Sequence, residues 1–186
     1  MILCGYDVRP GQKKNIQIPV HEAETIDAVL VCGKKKGKTL VITAGVHGCE
    51  YVGIEAAKRL IRILDPEELC GNVILLPLVN RKGFFQSRMR VVPEDNKNLN
   101  QAFPGTADGT LSSRIAYAIE NSIYPYADFL IDLHSGDMNE SLFPLAFFPG
   151  EGSVSVNRTA LEGAKTLSVQ YRVRSTSKNG LYSWAV

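Results

Sequence analysis

An α/β fold, with a mixed, mostly parallel central sheet and helices on both faces, is predicted by two features of the sequence. Short apolar runs rich in β-branched residues recur along the 186 residues, and segments with helical apolar spacing separate them. Runs that are apolar at nearly every position suit strands covered on both faces. Residues 28–32 read as a strand, and Gly33-Lys34-Lys35-Lys36-Gly37 as a solvated hairpin turn because glycines bracket the lysines. Residues 39–44 follow as a buried strand. Residues 50–64 carry Ile54, Ala57, Leu60, Ile61 and Leu64 at helical spacing, and Asp65-Pro66 stops that helix. Further on, 72–79 and 128–133 read as buried strands, 112–123 as an amphipathic helix, 144–148 as a fourth buried strand, 158–167 as a helix and 170–174 as a short strand. There is no internal repeat or low-complexity tract.

Composition excludes several classes. Hydrophobic residues make up 45% of the chain, enough for the core of one domain over residues 1–186. With 21 basic and 19 acidic residues the net charge is +2, so there is no broad electrostatic case for nucleic acid or an anionic membrane. Residues 1–10 hold no apolar run of signal-peptide length, nowhere do about 18 apolar residues run together, and a cytoplasmic location is expected. The cysteines, Cys4, Cys32, Cys49 and Cys70, show no C-x-x-C spacing and read as structural thiols. His21, in a polar N-terminal segment, reads as a surface residue.

The chemistry concentrates in two motifs, Ala44-Gly45-Val46-His47-Gly48-Cys49-Glu50 and Asp132-Leu133-His134-Ser135-Gly136. His47, Glu50 and His134 lie at the ends of apolar strands, where an α/β sheet places its ligands. Two imidazoles and a carboxylate would fill three positions of one Zn2+ per chain and leave the fourth for water or a carbonyl oxygen. Singly, each residue has an ordinary explanation: a strand-end histidine bonded to backbone, a helix N-terminal acid, a buried neutral imidazole. Their joint placement favours the metal. Asp132, two residues before His134 and hence on the same strand face, is placed to orient a ligand imidazole.

Residues 80–105 form a long stretch with little apolar periodicity, ending in Asn98-Leu99-Asn100-Gln101-Ala102-Phe103-Pro104-Gly105. A loop of that length in a compact domain is usually functional, although a solvated surface excursion would read the same way. Arg81, Lys82, Arg88, Arg90 and Lys97 against Glu94 and Asp95 suggest an anionic group on a small-molecule substrate.

The order of these motifs resembles the succinylglutamate desuccinylase/aspartoacylase family of the zinc carboxypeptidase-like superfamily, from about Leu40 to the C-terminus. The resemblance implies a zinc exopeptidase/carboxypeptidase-like fold, metal ligation by His47, Glu50 and His134, and hydrolysis of an acyl-amide. It makes Arg90 the best match to the oxyanion- and substrate-binding arginine, with Arg88 second. Asn100 matches the asparagine that helps hold a substrate carboxylate, and Asn98 and Gln101 of the same motif are expected beside it.

Two departures stand out. Gln101 occupies the place of the family's arginine, and a neutral hydrogen bond contributes about 1 kcal/mol against roughly 1.5–3 for a charged one. The family also continues well beyond this length, and its general-base glutamate lies in that further part. Glu140, Glu151 and Glu162 stand in the wrong motif context, and 180–186 reads like a helix cut short. The chain is therefore expected to be an incomplete catalytic domain that binds zinc but hydrolyses amides very poorly alone. An uncovered sheet edge and apolar face would favour homo-oligomers. Three functions stay open: an amide deacylase acting on N-acyl amino acids, a carboxypeptidase-like peptidase, and a metal-binding module without catalysis.

Overall fold

Long-range strand pairing, rather than local turns, organises this chain. The computed structural model describes residues 1–86, 90–177 and 180. After a small antiparallel ribbon, β1 (Ile2–Leu3) and β2 (Tyr6–Asp7), come β3 (Gln12–His21), β4 (Glu24–Cys32), β5 (Lys35–Ala44), α1 (Tyr51–Ile63) and β6 (Cys70–Leu76). Then follow α2 (Arg81–Phe85), β7 (Val91–Val92), β8 (Lys97–Asn98), a 3-10 turn at Leu99–Gln101, α3 (Leu111–Ser122), β9 (Phe129–Leu133), β10 (Leu145–Pro149), α4 (Val154–Thr166) and β11 (Tyr171–Ser175).

The central sheet has the order β3-β4-β6-β5-β9. It is mixed: β4 pairs antiparallel with β3 and β6, while β5 pairs parallel with β6 and β9. Side chains alternate between the faces of each strand. Val29, Val31, Ile42, Val73 and Leu75 point to one face, under Leu60, Ile61 and Leu64 of the α1 segment. Ala28, Leu30, Val41, Ile74 and Leu76 point to the other, where Ile115 and Ile119 of α3 join the larger core. Fully burying such a side chain contributes about 1.5–3 kcal/mol. Lys13 on β3 ties down the end of α1, its Nζ donating to the carbonyls of Ile61 at 2.8 Å and Leu64 at 2.6 Å. Those carbonyls lack helical partners, and a cation suits the negative end of the helix.

Two sequence expectations are corrected. Residues 33–37 are not a hairpin turn, because Lys35 already starts β5 and β6 inserts between β4 and β5. The glycines serve close approach instead: the Gly33 N–H donates to the Gly71 carbonyl at 2.9 Å, and a Cβ at Gly33 would lie 2.3 Å from that oxygen. The strand expected at 144–148 does form, as β10 (Leu145–Pro149), but it stands outside the central sheet and pairs parallel with β11. Phe143, Phe147 and Tyr171 of this unit are exposed. His21, at the end of β3, is exposed as expected, and all four cysteines are free thiols. Among the described residues, no helix is long and apolar enough to cross a membrane.

The topology decides where a site can form. The chain leaves β5 through α1 to reach β6 on one side, while β9 lies on the other side of β5 and α3 covers the opposite face of the sheet. Beyond the C-terminal end of β5 the connections diverge, which opens a crevice at a topological switch point.

Candidate metal centre

The divergence at β5 places His47 three residues past the end of that strand, and His134 directly follows β9. The two strands end level, with Ala44 opposite Leu133. Glu50 precedes the first residue of α1, yet its side chain makes no cap hydrogen bond. The carboxylate is engaged elsewhere: Oε1 lies 2.6 Å from His47 Nδ1, and Oε2 lies 2.7 Å from His134 Nδ1. The Ser135 N–H also donates to Oε2, at 3.1 Å. One atom from each of the three residues falls within 4.8 Å of the others.

The far nitrogens are held just as definitely. His134 Nε2 lies 2.7 Å from Asp132 Oδ2, and the Thr43 hydroxyl donates to Asp132 Oδ1 at 2.7 Å. Thr43 and Asp132 face each other across the β5–β9 pair, so the sheet fixes the carboxylate. His47 Nε2 lies 3.0 Å from Asn98 Oδ1, which also accepts the Asn100 N–H. Each imidazole thus turns Nδ1 towards Glu50 and Nε2 towards an oxygen acceptor. An acceptor on the far nitrogen fixes the tautomer and orientation of a metal-ligating histidine.

Electrostatics tell the same story. Burial alone would push the Glu50 carboxyl up, but hydrogen bonds from His134 and His47 outweigh it and hold it at about 2. For His134, burial disfavours the charged ring, yet the carboxylates of Asp132 and Glu50 prevail and push it up to about 10. Two carboxylates, Asp132 and Glu50, thus flank the His134 ring, and a divalent cation would offset their charge. His47 and Glu50 are buried while the His134 side chain is 33% exposed, so the cluster is open on one side. The donor set, its convergence and its open side all fit zinc.

Around this cluster the structure sorts the remaining candidates. Arg90 sits at its edge with positive φ (53°), its Nε donating to Asp137 Oδ2 at 3.0 Å. Asn98, expected at the substrate, pairs with Val91 in the β7–β8 ribbon and turns its side-chain carbonyl to His47 Nε2. Asn100 is half-buried and Gln101 exposed in the 3-10 turn that follows. Arg88 lies outside the described residues. Glu140 accepts the Asp137 N–H, and Glu162 pairs with Lys165 on α4. Asp137 gave no signal in the sequence beyond lying three residues after His134. Burial pushes the Cys49 thiol up, and it donates to Asp137 Oδ1 at 3.3 Å.

Known proteins resemble this chain in both sequence and fold. A family model described as the succinylglutamate desuccinylase/aspartoacylase catalytic domain matches residues 36–183. A curated relative, N-alpha-acetyl-L-2,4-diaminobutyric acid deacetylase from Halomonas elongata, is 36% identical over 145 residues, covering 78% of this chain and 42% of its own. An aspartoacylase family protein from Mesorhizobium loti superposes with a TM-score of 0.82 at 29% identity, over 96% of this chain and 58% of that one. The product-bound ectoine utilization protein EutE (DoeB) from Ruegeria pomeroyi does so with a TM-score of 0.81 at 25% identity, again over 96% and 58%. The chain thus spans about half the length of these relatives. With four-fifths of its residues matched by the family model, the chain belongs to the succinylglutamate desuccinylase/aspartoacylase family.

Proposed function

We propose that this chain carries the metal- and substrate-binding part of a zinc-dependent deacylase that hydrolyses the amide bond of an N-acyl amino acid or a related small molecule. The observation that carries this reading is the single Glu50 carboxylate shared by the Nδ1 atoms of His47 and His134 at the open end of the parallel strands. His47, Glu50 and His134 would hold the ion. Zinc bound there would supply Lewis acidity, polarising the amide carbonyl and lowering the pKa of water towards about 7.

The protein's own contribution is positioning. Asn98 and Asp132 hold the Nε2 sides of the two rings, so that both Nδ1 atoms lie on the Glu50 side. Arg90, beside the cluster and held by Asp137, offers N–H donors to an oxyanion or a substrate carboxylate. Asn100 and Gln101, in the turn that follows Asn98, would meet the amino-acid end of the substrate, and Arg88 is proposed to add charge there. The name of the Halomonas relative, a deacetylase of an acetylated diamino acid, supports a small N-acyl substrate. In this reading the general base is not among Glu140, Glu151 and Glu162, and the enzyme acts in the cytoplasm.

The test is a side-by-side assay of N-acetyl and N-succinyl amino acids and short peptides, using zinc-loaded chain at high enzyme concentration. Slow, chelator-sensitive release of the acyl group, lost in Arg90→Ala, supports the reading. Cleavage of peptides in preference to acyl-amino acids overturns it.

A further inference from the structure

The loop after His134 does more than continue the chain. Asp137 is only 13% exposed at its side chain, and it touches two other segments that frame the metal centre. Its Oδ2 accepts the Arg90 Nε–H at 3.0 Å, and its Oδ1 accepts the Cys49 S–H at 3.3 Å. The same loop is pinned through its backbone, the Met138 N–H donating to the Cys49 carbonyl at 3.3 Å and the Asp137 N–H to Glu140 Oε2 at 3.1 Å. Cys49 lies between the candidate ligands His47 and Glu50. Asp137 therefore links the candidate ligand segment, the loop after His134 and the arginine loop.

Arg90 needs such a restraint. Its side chain is half exposed, and its backbone sits at φ 53°, in the left-handed region that disfavours a non-glycine residue. A long, exposed arginine without an anchor samples many rotamers, and reaction rates fall about 10²-fold for displacements near 1 Å. The carboxylate of Asp137 takes the Nε edge of the guanidinium. A guanidinium carries its remaining N–H donors on the two terminal nitrogens, the fork that suits a carboxylate or an oxyanion. Glu50 also acts on Arg90 through space.

We propose that Asp137 is a positioning residue for the deacylation, holding Arg90 by its Nε edge so that the terminal nitrogens meet the substrate. This rests on the function proposed above, and the test separates the two. Asp137→Ala, Asp137→Asn, Arg90→Ala and the double variant are compared in the full chain for zinc affinity, for kcat and KM, and for hydrogen exchange of the Arg90 Nε–H by NMR. Asp137→Ala is expected to keep zinc affinity within about threefold, to speed Arg90 Nε–H exchange at least tenfold and to lower kcat/KM about 10²-fold. In the Arg90→Ala background the same change should cost little more. Asp137→Asn, which can still accept from Nε, should recover most of the loss. Additive losses, or an Nε–H exchange rate unaffected by Asp137→Ala, overturn the proposal. If the wild-type chain hydrolyses no acyl-amino acid, the deacylase reading fails while the exchange measurement still decides whether Asp137 holds Arg90.

Discussion

Glu50 Oε2 and His134 Nδ1 lie 2.7 Å apart although 84 residues separate them in sequence. That contact joins the start of α1 to the end of β9, and it is where sheet topology becomes chemistry.

The Asp132 carboxylate spans Thr43 and His134 Nε2, so removing it frees the ring to rotate and weakens Nδ1 as a donor. Asp132→Ala is expected to lower zinc affinity about 10–100-fold. Thr43→Val should lower it less, because the strand pairing still holds Asp132 in place. Competition with a chromophoric chelator measures both.

Gly48 lies between His47 and Glu50. A Cβ there would lie 2.3 Å from the Phe84 nitrogen and 2.5 Å from the Gly83 carbonyl carbon, both backbone atoms of α2. That helix is itself fixed by Asn80, whose Oδ1 accepts the Gly83 N–H and whose Nδ2 donates to the Val91 carbonyl. Neither side can yield cheaply. Gly48→Ala should destabilise the fold by about 1–3 kcal/mol, as overpacking does, and reduce zinc binding as well. Denaturant melts with and without zinc check both effects.

Asp95 governs the loop that delivers Asn98. Its Oδ2 accepts the Ser112 N–H at 2.8 Å and the Ser112 hydroxyl at 2.6 Å, and its Oδ1 accepts the Lys97 N–H at 3.1 Å. It thereby anchors β8 to the first turn of α3. Burial pushes the carboxyl up, but bonds from Ser112 and Thr110 prevail and hold it below its ordinary 3.8. A folded value below the unfolded one gives a contribution fully present above pH 3.8 and lost as pH falls through the depressed value. Asp95→Asn is expected to cost about 1 kcal/mol at pH 7, the difference between charged and neutral acceptors, and progressively less under acid conditions. Urea melts from pH 7 down to pH 3 measure the difference.

Much of this arrangement is legible in the sequence. The helix over 50–64, the strand over 128–133 and the helix over 112–123 appear within a few residues of their observed bounds because periodic burial marks them locally. The convergence of His47, Glu50 and His134 is legible because such residues rarely end apolar strands beside glycine without a reason. The insertion of β6 between β4 and β5 is not, since strand order depends on partners 30 residues or more apart. β3 escapes notice because polar residues dominate it and only Ile16 and Ile18 are buried in its span. The attachment of Asn98 to His47, and of Asp137 to Arg90, depends on loop conformation, which leaves no periodic trace.

The account rests on one cation held by two imidazoles and one carboxylate. X-ray absorption at the zinc edge, on chain loaded with one equivalent of zinc, tests it most directly. Binding at a 1:1 ratio is expected, with nitrogen and oxygen neighbours at about 2.0–2.1 Å that include two imidazole rings. One ring's contribution should vanish in His134→Ala. Absence of tight zinc in the folded wild-type chain, or an unchanged spectrum in His134→Ala, would contradict the account.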